Sequence, residues 1–350
     1  MMAKDKHSPV TAPPALAICG FSGAGKTTLM EQILPALAAR GLKVAVVKHD
    51  VHGIRLDLPG KDSARLFRSG VDVLLEGPGE GFFRCHDTPD LGAALALLAP
   101  HYDLVLVEGH KDTALPRVWL QKAGDTAPPR GGAELLAVLP WDSDRKRHLL
   151  TLLDQWLPRQ WLAPPLYGCV LIGGGSRRMG HPKHLLTRNG HTWLDHLLSV
   201  LAQQCQEVVI SGAGEVPPSL ATHIRIPDAP GVPGPLGGIL SVMRWAPHAC
   251  WLVCACDMPA FFPEAMEWLL AGRAPGVWAV LPQLAENGEV EPLGAYYDRH
   301  ARPLLERMAA RQDYRLSNLA THGKVLSPPV PETLRGAWQN INSREELVGQ

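Results

Sequence analysis

The sequence predicts two α/β domains in tandem, and three observations predict it. Twice a continuous apolar strand runs into a glycine-rich loop and then a helix, first at "ALAICGFSGAGKTTL" and again at "YGCVLIGGGSRRMG". Between the two, "PRQWLAPPLYG" interrupts the alternation with proline. The chain has 350 residues, 46% hydrophobic and 19% charged, an ordinary globular balance with length enough for two cores.

In the first half, Ala15 to Gly20 is a buried-type strand, followed by an apolar-periodic helix from about Lys26 to Arg40. "KVAVVKH", "VDVLLEG" and "YDLVLVEG" are further strands, with helical "DLGAALALLA" between the last two. "RVWLQ" and "ELLAVLP" add strands, and "SDRKRHLLTLLDQWL" closes the unit as a helix with Ser143 as its N-cap. Continuous apolar strands alternating with helices indicate a parallel sheet covered on both faces. The expected organisation is a disordered lead over 1–14, a first domain over 15–158, a linker over 159–165 and a second domain over 166–350. Few contacts should cross the proline-rich boundary, so a fragment beginning near Pro164 is expected to fold alone.

The second half repeats the plan. Strand "YGCVLIG", the second glycine loop, helix "TWLDHLLSVLAQQ", strands "EVVIS" and "HIRIP", helix "GGILSVMRW" and strand "CWLVCACD" follow in order. "VWAVLP", "LGAYY" and a helix around "RPLLERMAA" complete it. Both glycine loops leave the carboxyl end of a domain's first strand, where open α/β sheets bind ligands.

The first loop satisfies GxxxxGKT after a strand and opening a helix, which makes the first domain P-loop NTPase-like. Gly20, Gly23, Ala24, Gly25, Lys26, Thr27 and Thr28 are the residues expected to hold phosphates. Lys26 reaches the β and γ oxygens, and the Thr27 hydroxyl is a ligand for Mg²⁺. Glu108, ending an apolar strand, is the better candidate for the acid partner of that metal, with Asp103 at the strand's start. Lys48, His49, Asp50 and His52 leave the second strand beside the same edge, as a polar loop facing the phosphates.

The second loop has three glycines, Gly173, Gly174 and Gly175, with Arg177, Arg178 and Lys183 close behind. A basic glycine loop without a Walker lysine suits attack at an α-phosphate with pyrophosphate leaving, since cations stabilise the developing charge. Asp257, at the end of a buried strand, is the candidate metal ligand, and Asp228 precedes a Pro/Gly-rich loop at another strand exit. Lys183, Arg178 and Asp257 are therefore the candidate catalytic residues. An attacking phosphate is already ionised and requires no general base.

Lys+Arg and Asp+Glu are equal at 34 each, so the chain offers no net positive field for nucleic acid or an anionic membrane. No long apolar run or signal peptide is present, and a reducing cytoplasm is expected. Of seven cysteines, Cys250, Cys254 and Cys256 cluster on one strand, where buried apolar thiols fit better than zinc ligation.

GFSGAGKTTL, VVKHDVHG, DLPGKDSARLFRSG and LVLVEGHK, in that order, resemble the GTP-binding adaptor protein of molybdopterin-guanine dinucleotide synthesis over most of residues 15 to 155. The resemblance implies a weak GTPase that assists a guanylyltransferase, with a homodimer formed through this domain. LIGGGSRRMGHPK, PDAPGVPGPLGGI, CDMP, EPLGAYY and NINS resemble molybdenum cofactor guanylyltransferase from about Tyr167 to Val348.

That second resemblance implies a Rossmann-like nucleotidyltransferase domain. GTP would bind at Leu171, Ile172, Gly173, Gly174, Lys183, Asp228 and Asp257, and Asn340 and Asn342 would lie on the pterin side. Two positions depart from the family, Pro182 where Asp is frequent and Ser211 where a nucleotide-contacting Asn is frequent. The paired Gly173–Gly174 resembles the guanine-using enzymes rather than the cytosine-using ones, which tend to carry Ala-Gly.

Together the resemblances imply transfer of GMP from GTP to molybdopterin or Mo-molybdopterin with Mg²⁺ as cofactor. Molybdopterin-molybdate ligase and apo-molybdoenzymes are candidate partners. A cytidylyltransferase, a sugar-phosphate nucleotidyltransferase and a nucleotide-gated cofactor-delivery scaffold are the alternatives.

Overall fold

The computed structural model describes residues 13–49, 57–58, 60–87, 89–110, 113–124, 133–173, 182–188, 190–285 and 288–341. The first half is built from β1 (Ala15–Gly20), α1 (Lys26–Ala39), β2 (Val44–Lys48), α2 (Asp62–Arg68), β3 (Val73–Gly77), β4 (Glu80–Arg84), α3 (Leu91–Leu98), β5 (Leu104–Glu108), β6 (Arg117–Leu120), β7 (Leu135–Leu139) and α4 (Arg145–Leu162). Five strands form a parallel sheet in the order β2-β5-β1-β6-β7, with the strand that feeds the Walker loop in the centre. Alternate residues of β1 serve opposite faces. Leu16 and Ile18 pack under α1 and α4, whereas Ala15, Ala17 and Cys19 pack with Leu95 of α3.

The strand over "VDVLLEG" is a correction to the sequence expectation. β3 does not join the parallel sheet; it pairs antiparallel with β4 in a separate two-stranded hairpin. Pro78 and Gly79 turn the chain, Gly79 at φ 86, the conformation a Pro-Gly turn needs. Only Val73 of β3 is buried. Leu74 and Phe83 are each 61% exposed.

The closing helix differs too. Its N-cap is Asp144, whose carboxylate accepts from Arg147 N at 3.0 Å, while the Ser143 hydroxyl bonds Pro140 O. α4 runs through Pro158 to Leu162, so the first residues of the expected linker are helical. Its buried residues Leu149, Leu153, Trp156, Leu157 and Trp161 keep one helical stripe across the proline.

The second half comprises β8 (Leu166–Leu171), β9 (Thr187–Arg188), β10 (His191–Thr192), α5 (Trp193–Leu201), β11 (Glu207–Ser211), β12 (Arg225–Ile226), α6 (Pro235–Trp245), β13 (Cys250–Ala255), α7 (Pro263–Leu270), β14 (Ala279–Val280), β15 (Ala295–Tyr297), α8 (Arg302–Ala310) and β16 (Val325–Leu326). Seven strands run in the order β12-β11-β8-β13-β15-β14-β16. β8, β11, β12 and β13 are parallel, and β15 is antiparallel to β13. Helices α5 and α7 cover one face, and α6 and α8 the other. The chain is thus two three-layer α/β units, as expected.

The two halves are not joined by a bare tether. Trp161 of α4 is 1% exposed, lies in a core of the second half and stacks on His300 with ring centroids 4.8 Å apart. Asp103, fully buried before β5, accepts from Lys43 N at 2.6 Å and Trp278 Nε1 at 2.6 Å and pairs with Lys324. Lys324 also donates to Gly41 O. A fragment beginning near Pro164 would lack Trp161 and Asp103, which side chains of the second half touch.

All seven cysteines are free thiols, six of them buried. Burial pushes Cys205, Cys250 and Cys256 up to about 12. Among the described residues no group of three or more His, Cys, Asp and Glu could hold a metal. No helix among them is long and apolar enough to cross a membrane.

Two outcomes are expected. Asp103→Ala leaves a half-buried lysine without its counter-charge and a buried indole N–H without its acceptor, and should cost about 3 kcal/mol in urea unfolding; a loss confined to the first half would contradict an anchor shared by both. At pH 8 a disulfide reagent should modify Cys85 alone in the native protein and all seven thiols in denaturant, read by mass spectrometry.

Candidate functional site

The first site forms where β1 ends. Gly25 caps α1 at φ 86 and ψ 24, a left-handed conformation that opens the helix only with glycine at that place. The loop from Gly20 to Thr28 therefore curls with its backbone N–H groups ahead of a helix N-terminus, a ready anion cradle. Lys26 Nζ lies across this loop and donates to Gly20 O and Phe21 O, both at 3.1 Å. The Thr27 hydroxyl donates to Glu108 at 3.0 and 3.1 Å, so the two expected metal ligands of this site meet directly.

β2, β5 and β1 lie side by side, and register places Lys48 and Ile18 opposite Glu108. Lys48 Nζ comes to 3.6 Å of the Glu108 carboxylate. His49 packs on His110 with ring centroids 4.7 Å apart; burial, then the charge of His49, holds the His110 imidazole below its usual range. Asp50 and His52 lie outside the described residues. Asp103 is at the opposite end of β5 from Glu108 and takes no part here.

Two residues of this site had no signature in the sequence. Lys122 Nζ donates to Ser22 O at 2.6 Å, and Arg145 donates through Nη1 to Ala24 O at 2.8 Å and through Nε to Pro140 O at 2.9 Å. They brace the loop from outside across separations of 100 and 121 residues. No spacing rule covers such distances.

The second site forms where β8, β11 and β13 end. β8 lies between the other two, so Leu171 pairs with Ser211 on one side and Ala255 on the other. Ile172 and Gly173 follow; Gly174, Gly175, Arg177 and Arg178 lie outside the described residues. The exits of β8 and β11 touch. Ile172 N donates to Ser211 O at 2.8 Å, and a Cβ on Gly212 would come within 1.9 Å of Ile172 O, so only glycine fits there.

Lys183 begins a one-turn helix (Lys183–Leu185), and its ammonium meets Asp257 Oδ2 at 3.2 Å. The side chains are 15% and 27% exposed, so this pair is partly shielded from water. Ile341 N donates to the Asp257 carbonyl at 3.0 Å, which brings the Asn-Ile-Asn segment against the same turn; Asn342 lies outside the described residues.

Asp228 follows β12 and faces α6. A Cβ on Gly238 would sit 3.3 Å from Asp228 Oδ1, 3.3 Å from Ser211 Oγ and 2.7 Å from Leu171 Cδ2, so these three residues converge on that glycine. Burial pushes the Asp228 carboxyl up from its usual range. Ser211, one of the two departures, is fully buried with its hydroxyl toward Gly238 O at 3.5 Å, which ties β11 to α6.

Glu291 opens the EPLGAYY segment. Its Oε1 accepts from Leu293 N at 2.9 Å, and Asn340 Nδ2 approaches Oε2 at 3.4 Å. Burial pushes this carboxyl up, the Leu293 and Asn340 hydrogen bonds oppose that, and the charge of Asp257 adds to it. An acid of this kind beside Asp257 is a neighbour of the site that neither periodicity nor spacing marks.

Comparison with known proteins agrees with this division. The family described as molybdopterin guanine dinucleotide synthesis protein B matches residues 15–141, and the MobA-like NTP transferase domain matches residues 168–325. Over 150 residues the chain is 38% identical to the molybdopterin-guanine dinucleotide biosynthesis adapter protein of Haemophilus influenzae, covering 40% of this chain and 81% of that protein. Over 188 residues it is 28% identical to a probable molybdenum cofactor guanylyltransferase of Bacillus cereus, covering 52% of this chain and 93% of that protein. Among solved structures, molybdopterin-guanine dinucleotide biosynthesis protein A from Archaeoglobus fulgidus matches with 27% identity and a TM-score of 0.44, over 52% of this chain and 95% of that one. Through its N-terminal part the chain belongs to the molybdopterin-guanine dinucleotide biosynthesis adapter family, and in the same polypeptide it carries a MobA-like NTP transferase domain.

Proposed function

We propose that Lys183 and Asp257 carry the chemistry of the second site. The protein is a nucleotidyltransferase of molybdenum cofactor biosynthesis, with an adapter module ahead of the transferase in the same chain. It transfers GMP from GTP to the terminal phosphate of molybdopterin, or of its molybdenum-loaded form. An acceptor phosphate oxygen attacks the α-phosphorus, the bond from that phosphorus to the bridging oxygen of the β-phosphate breaks, and pyrophosphate leaves. The acceptor is already an anion, so no side chain has to take its proton.

The observation that carries this reading is the Lys183–Asp257 pair at 3.2 Å, set beside the exit of β8 and touched by Ile341. Lys183 supplies fixed positive charge where negative charge shifts toward the leaving pyrophosphate. Leu171, Ile172 and Gly173 bring backbone to the phosphates, and Asp228 lines the nucleotide side. Asn340, held near Glu291, lines the pterin side.

The donors present are hard oxygens, which suit Mg²⁺. Asp257 would hold the ion at the transferase site, and Thr27 with Glu108 at the P-loop. When bound, the ion neutralises charge on the phosphate oxygens. At the P-loop, Lys26 binds the β and γ oxygens of a second GTP and supports slow hydrolysis.

Molybdopterin-molybdate ligase and apo-molybdoenzymes are the macromolecular partners of this reading. The free thiols suit a reducing cytoplasm. A homodimer through the first half is supported by the apolar side chains that α2 and the β3–β4 hairpin leave at the surface, Leu66, Leu74 and Phe83 among them.

The test is incubation of the protein with molybdopterin, Mg²⁺ and either GTP or CTP, with detection of dinucleotide and pyrophosphate. Product from GTP is expected; product from CTP instead, or pyrophosphate without molybdopterin, would overturn the assignment. Asp257→Ala should lower guanylyl transfer by at least about 10²- to 10³-fold while GTP still binds the P-loop. Lys26→Ala should suppress GTP hydrolysis and leave dinucleotide synthesis largely intact; loss of both would contradict two separate GTP sites. Leu74→Asp with Phe83→Asp should convert a dimer to a monomer in sedimentation without shifting the far-UV circular dichroism spectrum, and an unchanged mass would move the interface elsewhere.

A further inference from the structure

Lys183 is a long side chain on a short support. Its backbone belongs to a single helical turn held internally by Leu185 N to Pro182 O at 3.1 Å and Leu186 N to Lys183 O at 3.0 Å. One turn has no stability of its own in water. A lysine ammonium also sits at the end of a flexible four-carbon stem. Holding that charge in one place therefore needs an anchor for the backbone as well as the ion pair with Asp257.

The next residue supplies the anchor. His184 is 3% exposed, and its Nε2 lies 2.7 Å from Glu215 O, in the loop that follows β11. A carbonyl oxygen only accepts, so Nε2 carries the proton and donates. The ring fits under Gly214, where a Cβ would stand 3.2 Å from His184 Cε1 and 3.3 Å from Ile172 Cδ1. Ile172 is the root of the second glycine loop and is itself bonded to Ser211 O. The imidazole thus joins the turn bearing Lys183 to the loop at the exit of β11, and that loop, through Gly214, also meets Ile172 at the exit of β8.

We propose that His184 is a positioning residue for guanylyl transfer, acting through Lys183 by locking its helical turn to the Gly212–Glu215 loop. At 3% exposed, it works from beneath the site rather than as a catalytic residue. The inference rests on the assignment of Lys183 to the reacting phosphates, so one of its tests does not use activity.

His184→Leu keeps the apolar volume and removes the donor; His184→Gln returns an N–H at similar reach. In the full-length protein, His184→Leu should lower kcat by about 10- to 100-fold, the range for a misplaced catalytic group, with little change in GTP affinity. His184→Gln should recover most of that loss. Because the effect passes through Lys183, His184→Leu should cost nothing further in a Lys183→Ala background.

Independently of activity, acetic anhydride should label Lys183 severalfold faster in His184→Leu than in the parent or in His184→Gln, read by mass spectrometry. If His184→Leu does not fold, Gly214→Ala, which crowds the ring, should give the same kcat loss and the same labelling. The proposal is overturned if His184→Leu costs as much with Lys183 absent as with it present. It is also overturned if Gln is no better than Leu, or if Lys183 labelling does not change.

Discussion

The packing of the two halves depends on one buried carboxylate. Asp103 is surrounded by protein, and its acceptor sites are filled by a backbone N–H of the first half and by an indole and an ammonium of the second. A buried charge is tolerable only when it is fully paired and hydrogen-bonded. The first half alone cannot meet that condition: without Trp278 and Lys324 the carboxylate lacks most of its donors. The aromatic rings of Trp161, His300, Trp278 and His322 then stack in sequence beside it, carrying apolar contact from α4 into the second core. The join is a specific one, in which geometry has to be right before burial is favourable.

The same strand shows how one element serves two purposes. β5 begins next to Asp103 and ends at Glu108, which accepts from Thr27 in the P-loop. Parallel sheets direct every strand's carboxyl end to one edge, so ligand chemistry gathers there and the other edge is left for structural contacts. The transferase half follows the same rule with different cations. Where the Walker loop has a lysine at the helix N-terminus, the second half has a lysine on a separate helical turn, paired with Asp257 just beyond β13. In the proposed reaction the first lysine serves the β and γ oxygens, and the second serves an α-phosphate attacked by another substrate.

Much of this was legible in the sequence because the signals are local. The Walker loop, the apolar runs ending in Glu108 and Asp257, and the alternation of strands and helices are all read within windows of about ten residues. The misreadings have local causes as well. Pro158 looked like a stop, yet the stripe from Leu149 to Trp161 passes through it. The Pro78-Gly79 turn between two short strands is itself a local hairpin signal, and it sets β3 apart from the parallel strands. What could not be read is what the fold brings together from afar. Arg145 against Ala24, Asp103 against Lys324 and His184 against Glu215 are contacts for which the chain offers no spacing, only ordinary polar residues in ordinary positions.

The β3–β4 hairpin shares no ladder with the five-stranded sheet. Leu74 and Phe83 therefore have no backbone pairing with the strands that carry the Walker loop. Over evolutionary time such a module is free to drift: its exposed apolar positions can be recoloured without changing a single rung of the sheet that feeds the Walker loop.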